Sequence, residues 1–505
     1  MLLLALCVPS ALQGQSLPAR IQAVMDRPEF VHASWAMEFY DLGSKRAVFG
    51  VNNQRLMVPG STTKLLTMGT ALEILGPDHR FTTRVYRTGP VQDGVLDGDL
   101  VLVAAGDPNL SGRERPGGTY AFIDHDHSYG GPPLDTDPLT VVRDLARQVA
   151  GRGIRTVTGQ VIVDASLFPE GERDGGTGVT MGPLVINDNV IDIVVTPAAS
   201  AGAPATVEVT PKTSYFTVQA HVITADSGHA QRFDAVEDST DRSHRMLVAT
   251  GSVPRGSEPQ NLRWVVPEPS RFGEVVLSEA LRDTGVHAIP RLASRTVDVE
   301  ALSASYDDSL VVAEHISLPL LAEATVVLKT SQNLHASNFP LLLGSLPKAQ
   351  GADKTGFDLE HDWLAEAGLD LNGAAQGDGA GARAHFSPAF MTRYLGVVAS
   401  KPWAAGFRAA LPVLGRDGTL VDIQVDSQGA GHVQAKTGTY GIFDPLHRRL
   451  LVTGKGLAGY LTTRSGREIA FAIYINNFAT DQPDPAVIAG QALGEIASIA
   501  WEEIR

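Results

Sequence analysis

The chain has 505 residues, 43% of them hydrophobic and 19% charged, which is enough apolar material for large cores and excludes a disordered chain. At roughly 150 residues per domain the length suggests two to four units. Its 41 Lys and Arg against 56 Asp and Glu give a formal net charge of −15, which argues against nucleic acid or an anionic membrane face as the main partner.

In chain order, the first feature is an apolar run from Leu2 to Val8, about the length of a signal-peptide core, followed by Pro9, Ser10, Ala11 and Gly14. No basic residue precedes it, since Arg20 is the first. It reads as a secretory signal with a clipped or miscalled start, and residues 1–15 are set apart as its remnant. Cys7 is the single cysteine, which excludes a disulfide, a thiolate zinc site and an iron–sulfur cluster. Leu6 before it is bulkier than lipoprotein processing favours. No later segment holds about 18 uninterrupted apolar residues, so no transmembrane anchor is expected.

Residues 33–50 read as two short strands around Asp41-Leu42-Gly43-Ser44. Pro59-Gly60 then opens a periodic apolar stretch (Leu65, Leu66, Met68, Ala71, Leu72, Ile74, Leu75) stopped by Gly76-Pro77. That pattern predicts a helix of about four turns. From about 82 to 300 the texture changes to short alternating runs such as TTRVYRTG, GDLVLVAAG and TVTGQVIVDAS, split by Gly, Pro and Asp. Two amphipathic helices interrupt it, TDPLTVVRDLARQVAGRG and EPSRFGEVVLSEALRDTGV. His125, Asp126 and His127 read as a solvated loop, because no ligand spacing supports a metal there.

Beyond about 310 long helical patterns return: LPLLAEATVVLKTSQNLHASNFPLLLG, FSPAFMTRYLGVVASKP and AVIAGQALGEIASIAWEEI. Between them VQAKTG, LLVTGKGLAGYLTT and REIAFAIYINN read as strands. The expected fold class is α/β (α+β): helices around an antiparallel sheet built from both chain ends, with a β-rich insertion between. Residues 16–85 with 301–505 would form a discontinuous catalytic domain and 86–300 the insert.

Three short motifs carry chemistry. Ser61-Thr62-Thr63-Lys64 opens the first helix, where the i to i+3 spacing lets a lysine amine reach the serine hydroxyl. An unassisted serine is a poor nucleophile, and a neighbouring lysine of lowered pKa can serve as its base. Taken singly, Ser61 would be an ordinary helix cap. Ser331-Gln332-Asn333 follows in the later helical stretch, and Lys436-Thr437-Gly438-Thr439 lies on a strand. A second Lys-Thr-Gly, Lys354-Thr355-Gly356, has no strand around it and is assigned to a loop. Neither a Gly-x-Ser-x-Gly elbow nor a Walker-type loop is present, and the histidines show no triad spacing.

The order Ser-x-x-Lys, Ser-x-Asn, Lys-Thr-Gly is that of penicillin-recognising serine enzymes. The 270 positions between Ser61 and Ser331 exceed what a compact β-lactamase needs. With VPGSTTKLLT, GDLVLVAAGDPNL, LPVLGRDGTL and GLAGYLTT, the chain resembles the low-molecular-mass class C penicillin-binding proteins over most of residues 30–477. These are D-Ala-D-Ala carboxypeptidases and endopeptidases of the bacterial envelope, with a β-lactamase-like transpeptidase fold. The resemblance implies that Ser61 attacks the penultimate D-Ala carbonyl with Lys64 as base. Ser331 would relay a proton to the leaving amine, Asn333 would hold a substrate amide, and Lys436 would supply charge. Thr437, Gly438 and Thr439 would line the substrate carboxylate, with the backbone N–H groups of Ser61 and Thr439 as oxyanion hole. Expected partners are peptidoglycan stem peptides, cross-bridges and β-lactam inhibitors. No metal or other cofactor is expected, and localisation is the periplasm or cell envelope.

Four departures stand out. Asp378-Gly379-Ala380-Gly381 replaces the usual Asp-Gly-Ser-Gly, Gln332 and His335 replace Asn and Tyr, and residues 441–456 hold an insertion expected to lengthen a hairpin. Ala380 and that insertion motivate a second reading, a wall-binding module with poor turnover. A third is a β-lactamase or esterase on the same fold.

Overall fold

In the computed structural model, which describes residues 16–238 and 245–505, the chain divides into two units. The expected signal remnant, 1–15, lies outside the described residues. The first unit holds the described chain up to Thr63 with Ala367–Gly377 and Arg383–Arg505; the second holds Lys64–Glu366 and Asp378–Ala382. Residues 86–300 belong entirely to the second unit.

The first unit is built on a five-stranded antiparallel sheet in the order Arg46–Val51, Ser34–Asp41, Glu468–Asn476, Arg449–Thr462, Val433–Asp444. Its inner strands read as near-continuous apolar runs because both faces are covered. Trp35, Met37, Phe39, Phe471 and Ile473 share one core with the helix Pro485–Glu503. On the alternate positions Glu38 bonds Thr392 and Arg393 of the helix Pro388–Ala399. The third motif therefore lies on an edge strand. Residues 441–456 fall within one long hairpin: Val433–Asp444 and Arg449–Thr462 run 12 and 14 residues, with a register shift after Tyr440.

The second unit has a four-stranded sheet ordered Val161–Asp164, Leu100–Val103, Thr82–Arg87, Val311–Ile316. The two helices expected within the insert, Thr140–Gly151 and Pro269–Asp283, supply Val142, Leu145, Phe272 and Leu277 to its core. Among the described residues three three-stranded sheets and one two-stranded ribbon complete the insert. Parallel pairs occur, as between Phe216–Ala225 and Arg245–Pro254. The long pattern around 320–344 is broken in two, Leu320–Lys329 and Asn333–Gly344, because Ser331 takes a φ of +65°. Ser61 also departs from the expected helix start. It lies in a 3-10 turn, Gly60–Thr63, that runs into the helix Lys64–Leu75.

The second Lys-Thr-Gly begins a helix, Gly356–Glu366. Thr355 Oγ1 accepts from Asp358 N at 3.2 Å and the Asp358 carboxylate accepts from Thr355 N at 2.7 Å, a reciprocal cap. Thr355→Ala removes half of it and is expected to lower unfolding free energy by about 1 kcal/mol. Urea denaturation reads this directly, and an unmoved midpoint would mean that the helix start is held elsewhere.

Candidate active site

In the first unit the Ser61 turn packs on the third-motif strand at van der Waals distance. A Cβ on Gly438 would lie 2.0 Å from Pro59 O and 3.0 Å from Ser61 N, and one on Gly60 would lie 2.5 Å from Thr439 N. Gly60 has a φ of +53°, so glycine suits it on both counts. Thr62 and Thr63 turn their hydroxyls back to Pro59 O (3.1 Å) and Gly60 O (2.9 Å), which holds the turn in place. Lys436 is buried and donates to Thr437 O at 2.9 Å, while Thr437 Oγ1 meets Thr419 Oγ1 at 2.7 Å. Ser61, Lys436, Thr437, Gly438 and Thr439 thus belong to one body.

Lys64, Ser331 and Asn333 belong to the other. The Lys64 side chain is fully buried, and Nζ donates to Asn333 Oδ1 at 2.5 Å, Ser331 Oγ at 3.3 Å and Ala380 O at 3.5 Å. Burial pushes its ammonium down to about 7, against the opposing pull of Asp174 and Asp378. Lys64 therefore gives up its proton far more readily than an exposed lysine, yielding the free amine, the form able to take a proton. The missing hydroxyl at Ala380 leaves the turn intact: Asp378 Oδ1 accepts from the N–H groups of Ala380 (2.8 Å), Gly381 and Ala382 (3.2 Å). What Lys64 meets there is a backbone carbonyl.

The expected solvated loop at 125–127 holds only for His125, which is exposed, whereas Asp126, His127 and Ser128 are buried. Asp126 caps a short turn, His127–Tyr129, whose last hydroxyl lies 2.6 Å from Ser331 O and 2.8 Å from Asn333 Oδ1, its one proton available to either acceptor. Tyr129 thereby fixes the carbonyl of a residue in left-handed backbone, where a non-glycine side chain is strained. Behind it lies Asp188, which accepts from Arg113, His127 Nε2 (2.8 Å), His335 Nε2 (3.0 Å) and Gln332 Nε2 (3.1 Å). Asp192 takes His127 Nδ1 at 3.0 Å, and Glu323 takes His335 Nδ1 at 2.8 Å. Burial opposes every charge in this group, but the pairs outweigh it. His127 is held well above its ordinary range, His335 is raised to about 9, and Asp188 is held well below the carboxylate range.

Gln332 and His335, the two departures from the usual second motif, both end on Asp188. Among the described residues Asp126, His127 and Asp188 bring candidate metal-ligand atoms within 4.8 Å of one another. The Asp188 lone pairs there already serve a guanidinium and two imidazoliums, so a cation would compete with fixed positive charge. Sequence reasoning missed Tyr129, Arg113 and Asp188. Their sole local signal is the Asn187-Asp188-Asn189 run, a residue type that tolerates the φ of about +50° all three adopt.

The D-Ala-D-Ala carboxypeptidase 3 (S13) family model matches residues 17–495. The D-alanyl-D-alanine carboxypeptidase of Actinomadura sp. (strain R39) is 27% identical over 503 residues, spanning 95% of this chain and 84% of the relative. The carboxypeptidase DacB of Haemophilus influenzae is 22% identical, over 87% of this chain and 85% of its own. The crystal structure of H. influenzae penicillin binding protein 4 superposes with a TM-score of 0.70 at 18% identity, covering 95% of this chain and 99% of that one.

The Asp188 cluster makes stability depend on pH. His335 has a folded-state value of about 9, above the ordinary ~6.5, so its contribution is complete below about pH 6.5 and is lost as pH rises through about 9. Lys64, depressed to about 7, works in the opposite sense over the same window. The readout is therefore a difference in slope. Between pH 7 and 9.5 wild type should lose on the order of 3 kcal/mol relative to His335→Gln, measured by denaturant unfolding; parallel profiles would refute the charged state of His335.

Proposed function

The chain belongs to the D-Ala-D-Ala carboxypeptidase 3 (S13) family, and from that premise we propose that it is an exported serine DD-peptidase acting through an acyl-enzyme on Ser61. Its substrate is the D-Ala-D-Ala end of peptidoglycan stem peptides. D-Ala-containing cross-bridges present the same type of bond and are included. The apolar run at 2–8 supports export, and no helix among the described residues is long and apolar enough to cross a membrane.

The observation that carries the mechanism is the buried amine of Lys64, bonded to the Ser331 and Asn333 side chains of the second motif. Ser61 Oγ attacks the carbonyl carbon of the penultimate D-Ala and its proton passes to Lys64 Nζ. The N–H groups of Ser61 and Thr439 receive the developing oxyanion. The proton moves by way of Ser331 to the amide nitrogen, the C–N bond breaks, and D-Ala leaves. Asn333 holds the substrate amide, Lys436 supplies positive charge, and Thr437 and Thr439 bind the terminal carboxylate. Water then attacks the ester, returning the hydroxyl to Ser61. A β-lactam offers its strained amide to the same serine and is not readily released.

Intact mass after incubation with penicillin should rise by one penicilloyl group in wild type and not in Ser61→Ala. A correctly folded wild type that takes no adduct would sink the acyl-enzyme mechanism. The acylation rate should climb as pH rises through about 7, where Lys64 loses its proton, and then level off. Lys64→Met should lower the plateau rate above pH 7 by about 10²–10⁴-fold and remove the pH dependence around 7. A wild-type profile flat from pH 5 to 9 would remove Lys64 as the base.

A further inference from the structure

Thr439 has a cationic neighbour that no motif accounts for. Lys455 lies directly opposite it on the adjoining strand, and Lys455 Nζ donates to Thr439 Oγ1 at 2.7 Å. Directly opposed residues of an antiparallel pair project from the same face. Thr437, two residues along, shares that face with its hydroxyl on Thr419. The edge strand thus carries a row of hydroxyls with one ammonium at its end.

Among the described residues no acidic partner of the Lys455 ammonium is found. The residues facing it are Thr439, Ile475 across the next strand and Gly490 at the start of the helix Pro485–Glu503. A Cβ on Gly490 would lie 3.3 Å from Lys455 Cε, and Ile423 Cδ1 sits on the same spot at 3.5 Å. None of these groups titrates. The acids of that helix are engaged elsewhere, Glu495 with Arg27 and Glu502 and Glu503 with Arg20. Burial pushes the ammonium down to about 8 with no carboxylate to oppose it. A partly desolvated cation without a counter-ion is unfavourable in the resting protein and becomes favourable when an anion arrives.

We propose that Lys455 is a carboxylate-binding residue, which with Thr439 holds the free α-carboxylate of the departing C-terminal D-amino acid. By donating to Thr439 Oγ1 it also leaves the threonine proton pointing outward, ready for that carboxylate. The inference rests on the reading of Thr439 given above and extends it to a residue outside the three motifs.

The test compares two substrates on three proteins: an acyl-D-Ala-D-Ala peptide and its C-terminal carboxamide, on wild type, Lys455→Met and Lys455→Arg. Lys455→Met should raise KM for the carboxylate peptide by about 10–100-fold, the range of a charge-assisted hydrogen bond, with kcat within about threefold. It should leave the carboxamide unaffected, and Lys455→Arg should keep most of the wild-type KM. In wild type, KM for the carboxylate peptide should rise above about pH 8, and in Lys455→Met it should not. Lys455→Met should also melt no lower than wild type, because an uncompensated charge has been removed. Equal losses on both substrates, or no loss on either, would overturn the proposal while leaving the DD-peptidase reading intact. A wild type that releases no D-Ala and takes no penicilloyl adduct would instead overturn that reading, and this one with it.

Discussion

The Ser331-Gln332-Asn333 motif is buried, and that burial governs how its neighbourhood is built. Lys64, His127, His335 and Arg113 are all buried, as are Asp126, Asp188, Asp192 and Glu323. An isolated ion in such surroundings would discharge, so each must be paired with good geometry. Asp188 is the junction that makes this possible, because its two oxygens face Arg113, His127, His335 and Gln332 together. To present them it sits in a left-handed turn with Asn187 and Asn189. The asparagine side chains supply the hydrogen bonds the turn needs: Asn187 Nδ2 reaches Val190 O at 2.8 Å, and Asn189 Nδ2 reaches Thr180 O at 3.1 Å. Backbone strain of about 1–2 kcal/mol per residue is thus offset by bonds that only this conformation allows.

The same junction explains why two substitutions in the second motif belong together. A tyrosine at 335 could not bridge Glu323 and Asp188 as a doubly donating imidazolium does. A shorter amide at 332 would carry one CH₂ fewer toward Asp126, Ser128 and Asp188 while also capping Leu334 N, as Gln332 does. Gln332 meets the 113–129 segment directly at Asp126 and Ser128, and His335 is linked to it through Asp188, which also takes Arg113. The departures are one rearrangement, supported by that segment, and the Ser331 and Asn333 side chains keep their bonds to Lys64 throughout.

Legibility followed physical range. The apolar periodicity of 64–75, 140–151 and 269–283 and the unbroken run at 468–476 are local signals, and the structure has helices and a doubly covered strand there. The motifs were legible because their spacing is local: Ser61 to Lys64 is one turn, and Ser331 to Asn333 is a helix start. The break at Ser331 was not legible, since its apolar flanks continue the helical period across it. The Asp188 cluster was hidden for another reason. Its members are spread from Arg113 to His335, and a charged residue in sequence looks solvated until the topology supplies its counter-ion. Asp126 and His127 were misread on that account, while His125 is exposed as expected. Strand partnering in the insert has the same cause, because alternation reports a covered face and not which strand lies alongside.

Three lysines illustrate how far environment, and not residue type, sets chemistry. Lys64 has its amine bonded to Asn333 and Ser331, and burial outweighs the opposing pull of Asp174 and Asp378, so the proton is shed near pH 7. Lys455 has one hydroxyl and apolar walls, and is lowered less, to about 8. Lys354 lies at the surface with Asp362 as its partner and is raised instead, although it alone repeats the Lys-Thr-Gly letters of the third motif. A base needs the first environment, an anion site the second, and a helix cap tolerates the third. Since the letters Lys-Thr-Gly occur in both a strand edge and a helix cap, the backbone beneath them decides which becomes a site. On the edge strand Gly438 admits the Pro59 carbonyl and with it the Ser61 turn; at Gly356 the close neighbour is the Pro340 carbonyl of a packed helix, and no edge is left to present.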